Sequence, residues 1–169
     1  YSYKNFNRFI EAFSLLAQKD SKLYLICTGN KFSQGEEDKL SKLHIKNKTL
    51  QINASDKELS ELYTRASLFV FPSLYEGFGI PILEAYACHC PIAISNTSCF
   101  PEIAGDAAIY FDPYSVKDIA NTIEAIIYNP QKANELIQKG IKRLELYSWE
   151  KTVVETEETY KKAIQGYNF

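Results

Sequence analysis

Apolar positions along this chain follow two rhythms that alternate. Residues 5–18, NFNRFIEAFSLLAQ, put Phe6, Phe9, Ile10, Phe13 and Leu16 on one helical face, with Asn5 suited to the N-cap. Residues 22–30, KLYLICTGN, read as a buried strand ending at Gly29-Asn30. Residues 31–48 are polar, with a short helix around 36–43, and 49–53 make a short strand. Ser55-Asp56-Lys57-Glu58 is a capping box that opens a helix to about Arg65. Strands at 67–72, 91–95 and 107–111 follow, with a short helix at Pro101–Ala104 between the last two. Ser115 begins a helix with Ile119, Ile123, Ile126 and Ile127 inward. Asn129-Pro130 opens another, to about Tyr147, and Ser148 caps a last helix with Trp149, Val153, Thr156 and Tyr160 on one stripe.

Strands alternate with helices, and the strands are continuously apolar. That pattern predicts an α/β, Rossmann-like domain, a doubly wound parallel sheet with helices on both faces. Such sheets bind ligands beyond the carboxyl ends of their strands. The segment 73–91, SLYEGFGIPILEAYACHCP, leaves one such end. No internal repeat or low-complexity stretch interrupts the order.

Composition narrows the partners. With 169 residues, 46% of them hydrophobic, the chain is long enough for one domain with a core of its own. A net charge of −2 gives no basic field for nucleic acid. No apolar run reaches the roughly 20 residues that span a bilayer, and no leader pattern opens the chain, so a cytoplasmic location is expected. The first residue is Tyr1, so an excised piece of a longer protein is expected. Cys27, Cys88, Cys90 and Cys99 form no disulfide framework. Cys88-His89-Cys90 invites a zinc reading, but the spacing is wrong and the other histidine, His44, has no ligand near it. Small thiols packed before a strand are the expectation, and no metal.

Segment 73–91 carries the chemistry. Gly77 and Gly79 let the backbone take positive φ and approach a ligand, and Pro81 fits a first helical turn. The amides of Phe78, Gly79 and Ile80 would then face an anion at a positive helix end. On the glycines alone, a bare strand-to-helix turn explains the pattern equally well. Glu76 and Glu84 favour the ligand. Glu84 lies in an otherwise apolar stretch, where a carboxylate needs hydrogen-bond donors such as sugar hydroxyls. Hydrolysis by a carboxylate pair ranks lower, because it has no use for a phosphate-binding helix end.

These residues form an E-x7-E pattern, Glu76 to Glu84, followed by Glu84-Ala85, Ala87-Cys88, Pro91, Ser95-Asn96, Pro101-Glu102, Gly105-Asp106-Ala107-Ala108, Phe111-Asp112-Pro113 and Ser148-Trp149-Glu150. With Lys4-Asn5 ahead of the first helix, the chain resembles the nucleotide-sugar-binding half of the group 1 retaining glycosyltransferases of GT-B architecture. The resemblance covers nearly the whole chain. It implies that residues 1–169 are one nucleotide-sugar-binding domain of a two-domain enzyme, the C-terminal half, with the first strand of its sheet missing. It implies that Glu76 is catalytic, facing the donor sugar near the reacting carbon. Glu84 would hold the ribose, and Gly77, Phe78, Gly79 and Ile80 would line the donor. Lys4 would neutralise the diphosphate, so no metal or other cofactor is implied. The acceptor, a saccharide or glycolipid, would bind the missing N-terminal domain, through which a membrane surface is also reached.

His89 stands where the family usually has glycine, and Tyr86 where methionine is common. A GT-B epimerase and a non-catalytic nucleotide-binding module are the alternatives.

Overall fold

The computed structural model describes residues 2–166. A 3-10 turn, Ser2–Lys4, leads into α1, Phe6–Lys19. Next come β1 (Leu25–Thr28), α2 (Gln34–Lys42), β2 (Thr49–Ile52) and α3 (Asp56–Arg65). The middle of the chain is β3 (Phe69–Phe71), α4 (Ile80–Ala87), β4 (Ile92–Ser95), α5 (Phe100–Ala104) and β5 (Ile109–Phe111). It ends with α6 (Val116–Ile127), α7 (Pro130–Leu144) and α8 (Trp149–Gly166).

Local chemistry sets most helix starts. Ser33 and Ser55 both form reciprocal capping boxes, with Glu36 and Glu58. The side chains of Ser115 and Asn129 accept from the third residue of α6 and α7, and Ser148 does the same for α8. Asn5 departs from expectation. It occupies the N-cap of α1 in a left-handed conformation, φ 56°, without a side-chain cap bond. Its buried amide donates instead to the Pro113 carbonyl at 2.7 Å, which ties the start of α1 to the Phe111-Asp112-Pro113 segment.

All strand pairs are parallel, as expected. β4 lies between β3 and β5, with Phe69 opposite Ile92 and Ala93 opposite Ile109. Side chains alternate across a strand, so a doubly covered sheet needs apolar residues at every position. β4 does this. Ile92 and Ile94 join a core with Phe71, Ile82, Tyr86 and Phe100, while Ala93 joins one with Phe9, Leu16, Phe111, Ile119 and Ile126. Thus α3, α4 and α5 cover one face and α1 and α6 the other.

The sheet is not continuous. β1 pairs with β2 only, Leu25 opposite Thr49, and no ladder among the described residues joins this pair to β3. Leu25 and Val70 of β3 nevertheless pack against the same core cluster. The expectation of continuously buried strands also fails for this pair. Its burial alternates, and Ile26 and Leu50 are 44% and 52% exposed. α1 and α2 supply one apolar layer behind β1, through Ile10, Phe13 and Leu40, and among the described residues no second layer buries Ile26.

The expected stripe on α8 forms a helix face that stays exposed: no residue of α8 is buried, and Trp149 is 75% exposed. Among the described residues no helix is long and apolar enough to cross a membrane.

Candidate functional site

The segment between β3 and α4 is built as a tight re-entry. Gly79 is the N-cap of α4 and takes φ 92°, a conformation that L side chains rarely adopt. A Cβ there would also stand 3.2 Å from Ile82 and Phe100 side-chain carbons. Gly77 differs from expectation: it is not among the positive-φ residues, and a Cβ on it would meet nothing within 4 Å. Gly79 therefore serves the turn and the packing, and Gly77 leaves open space. Pro81 falls in the first turn of α4 as read from the sequence. The amides of Gly77, Phe78, Gly79 and Ile80 donate to no acceptor among the described residues. Phe78 and Ile80 are exposed, whereas Gly79 is buried.

Glu76 sits on this turn, and its partner is Lys4: Nζ lies 2.6 Å from Oε1. The structure thus brings together two expected site residues that lie 72 positions apart in the sequence. The Lys4 ammonium also stands 5.6 Å from the Phe71 ring centroid and 5.1 Å from that of Tyr3.

Neighbouring loops hold the turn in place. The Ser98 hydroxyl donates to the Glu76 carbonyl at 2.8 Å and accepts from the Glu76 amide at 3.2 Å. The Cys99 thiol faces the carbonyls of Glu76 and Phe78 at 3.3 and 3.1 Å. The Phe78 ring packs edge-on against Tyr147, 5.9 Å between centroids. Ser98, Cys99 and Tyr147 were not legible as site residues. They lie far along the chain, and short polar or aromatic residues carry no spacing signal for a clamp.

Glu84 lies on α4 and is partly buried. The Tyr63 hydroxyl of α3 donates to its Oε2 at 3.2 Å. Burial raises the Tyr63 pKa above its ordinary value, and the nearby Glu84 charge adds to this, so the hydroxyl stays a donor. Glu76 therefore lies on the turn that follows β3 and Glu84 within α4, and each has a different protein partner.

Two departures from the family pattern gain a physical account. His89 takes φ 56° just past α4. Its amide donates to the Tyr86 carbonyl at 3.0 Å, and that of Cys90 donates to the Ala85 carbonyl at 2.9 Å. This is a Schellman cap, whose left-handed position favours glycine. Tyr86 fills space over Gly140 of α7, where a Cβ would come within 2.5 Å of its ring. Cys90 is buried, and burial pushes its thiol up to about 12. Among the described residues no three His, Cys, Asp or Glu side chains are grouped so as to hold a metal ion.

A separate cleft of about 410 Å³ opens at the ends of β4 and β5, lined by Asn96, Asp112 and Tyr114 among others. Its lining includes neither Glu76 nor Glu84.

The profile of the family "Glycosyl transferases group 1" matches residues 1–143. The chain is 38% identical over 106 residues to O-antigen chain mannosyltransferase B of Escherichia coli, covering 63% of this chain and 28% of that protein. It is 33% identical over 114 residues to the MMP alpha-(1->4)-mannosyltransferase of Mycolicibacterium hassiacum, again 65% of this chain and 28% of that protein. The match therefore spans little more than a quarter of the length of these curated relatives. In three dimensions the chain is similar to sucrose-phosphate synthase from Thermosynechococcus elongatus, with TM-score 0.84 and 21% identity, over 98% of this chain and 44% of that one.

Proposed function

This chain belongs to the group 1 glycosyl transferases, and on that footing we propose that it is the donor-binding part of a retaining enzyme that uses a nucleotide-diphosphate sugar. The acceptor is a saccharide or a lipid-linked saccharide, bound by a domain outside residues 1–169. Both relatives described above are mannosyltransferases, which supports mannose as the transferred sugar.

One observation carries the reading. Two carboxylates, Glu76 and Glu84, flank a run of amides that donate to no acceptor among the described residues, and Lys4 is delivered to the first of them. Each part has a chemical task. Sugar hydroxyls donate to Glu76, which fixes the ring beside the bond that breaks. Ribose hydroxyls donate to Glu84. The departing diphosphate gains negative charge, and Lys4 with the N-terminal end of α4 stabilises it. In this role Lys4 leaves Glu76 for the phosphates, which carry the larger charge. That charge supply is the part a metal ion plays elsewhere. The activity belongs to the cytoplasm, with any contact to a membrane surface made through the acceptor-binding domain.

The test is replacement of Glu76 by glutamine in the full-length protein. Sugar transfer should be lost while nucleoside diphosphate binding persists. Undiminished transfer would remove Glu76 from the role, and an epimerised rather than transferred sugar would replace the reading altogether.

A further inference from the structure

Tyr63 has a hydroxyl that packing does not need. Its ring belongs to the core beneath α3 and α4, 7% exposed, and meets Phe69 edge-on with 5.1 Å between centroids. Phenylalanine would fill the same space. A buried hydroxyl is costly unless it is partnered. Its partner is Glu84 Oε2, 21 positions away in the sequence.

Glu84 in turn has freedom that a binding carboxylate cannot keep. The terminal torsion of a glutamate is broad, so the plane of its carboxylate is poorly defined by the helix alone. Its neighbours on α4, Leu83 and Ala85, pack on the core and offer it no donor. The Tyr63 hydroxyl is its one hydrogen-bond donor among the described residues. A carboxylate presents about four acceptor directions, and Tyr63 takes one on Oε2. Oε1 remains for a ligand, in a plane set by a ring that the core holds still.

We propose that Tyr63 is a positioning residue for ribose recognition: its hydroxyl fixes the Glu84 carboxylate so that this accepts from the ribose diol of the donor nucleotide. The inference rests on the role given to Glu84 above. It makes discrimination between ribose and deoxyribose depend on a residue of α3 that touches no ligand. At 3.2 Å the bond is longer than a full-strength charge-assisted one, so it steers the carboxylate and does not neutralise it.

The experiment uses the full-length protein and calorimetric titration with UDP and GDP, each beside its 2′-deoxy counterpart. The quantity read is the ratio of ribo- to deoxynucleotide affinity, which a merely structural role of Tyr63 would leave alone. In Tyr63→Phe the ratio should fall roughly three- to tenfold, the size of one lost hydrogen bond. In Glu84→Gln it should collapse toward one, and adding Tyr63→Phe to Glu84→Gln should change it no further. An unchanged ratio in Tyr63→Phe, with a collapsed one in Glu84→Gln, overturns the positioning role and spares the site. An unchanged ratio in Glu84→Gln overturns the ribose assignment and the inference with it, as does failure of wild type to bind either nucleotide. Should Tyr63→Phe not fold, the wild-type protein decides. Its Tyr63 Cζ resonance should shift on saturation with the ribonucleotide and less with the deoxynucleotide, and equal shifts reject the proposal.

Discussion

Lys4 and Glu76 are ion-paired at 2.6 Å although 72 positions separate them in the chain. Lys4 comes from the turn before α1 and Glu76 from the turn after β3. The Glu76 side chain is 17% exposed and that of Lys4 46%. The pair therefore holds a half-exposed lysine on the carboxylate that opens the turn into α4.

Replacing Lys4 by alanine should separate catalysis from stability. An exposed pair of this kind contributes only ~0–1 kcal/mol to folding. Removing a cation from a developing phosphate charge costs about 100-fold or more in rate. Turnover of the full-length enzyme should thus fall by that order while the melting temperature moves by a few degrees at most. A large loss of stability with intact turnover would reverse the assignment.

The two glycines of the turn should respond differently to alanine. Gly79→Ala places a side chain at φ 92° against Ile82 and Phe100, and should cost about 1–3 kcal/mol. Gly77→Ala meets open space and should change stability by less than ~0.5 kcal/mol, while weakening nucleotide binding if the ligand approaches there. Urea unfolding of both variants, with calorimetry for the second, checks this.

The end of α4 offers a stabilising change and a destabilising one. His89→Gly relieves a left-handed histidine in the Schellman cap and should stabilise by about 0.5–1 kcal/mol. Gly140→Ala drives a methyl into Tyr86 and should destabilise by about 1–3 kcal/mol. Combining Gly140→Ala with Tyr86→Met should recover part of that loss. Denaturant midpoints report all three, and additive effects at 86 and 140 would contradict the contact.

Alkaline pH should weaken the fold. Burial is the leading cause that raises Cys27 and Cys90 from 9.0 to about 12 and Tyr110 from 10.0 to about 12, and it raises Tyr63 and Tyr86 as well. For groups raised on folding, the stability they contribute is complete below their unfolded values. It is lost as pH rises past those values toward the folded ones. The urea midpoint should accordingly hold near pH 7.5 and fall between about pH 9 and 12. At pH 8 in the native protein, Cys27 and Cys90 should resist alkylation, because each is a thiol and not a thiolate.

Much of the fold was legible because it is local. The capping box at Ser55 bonds within four residues, so its sequence pattern is nearly its structure, and the same pattern at Ser33 starts α2 at Gln34, ahead of the expected 36. Residues Ile92 to Ile94 of β4 are all apolar, and both faces of the strand proved buried. β1 shows the limit of the same logic: YLIC reads as core, yet Ile26 faces outward because burial depends on a second layer that the strand does not itself contain. The stripe on α8 is a second case, an apolar pattern that is left exposed.

The sequence by itself determined the element order, the parallel α/β class and the two carboxylates around a glycine-bearing turn. These follow from hydrophobic period, capping chemistry and residue type, which act over a few positions. Only the tertiary structure decided what each carboxylate touches. It paired the Glu76 carboxylate with Lys4 and the Glu76 backbone with Ser98, gave Glu84 the hydroxyl of Tyr63, and joined Asn5 to Pro113. It also assigned positive φ to Gly79 and not to Gly77. Such contacts span up to 108 positions, and their geometry is set by how the helices pack on the strands, a relation that no local pattern encodes.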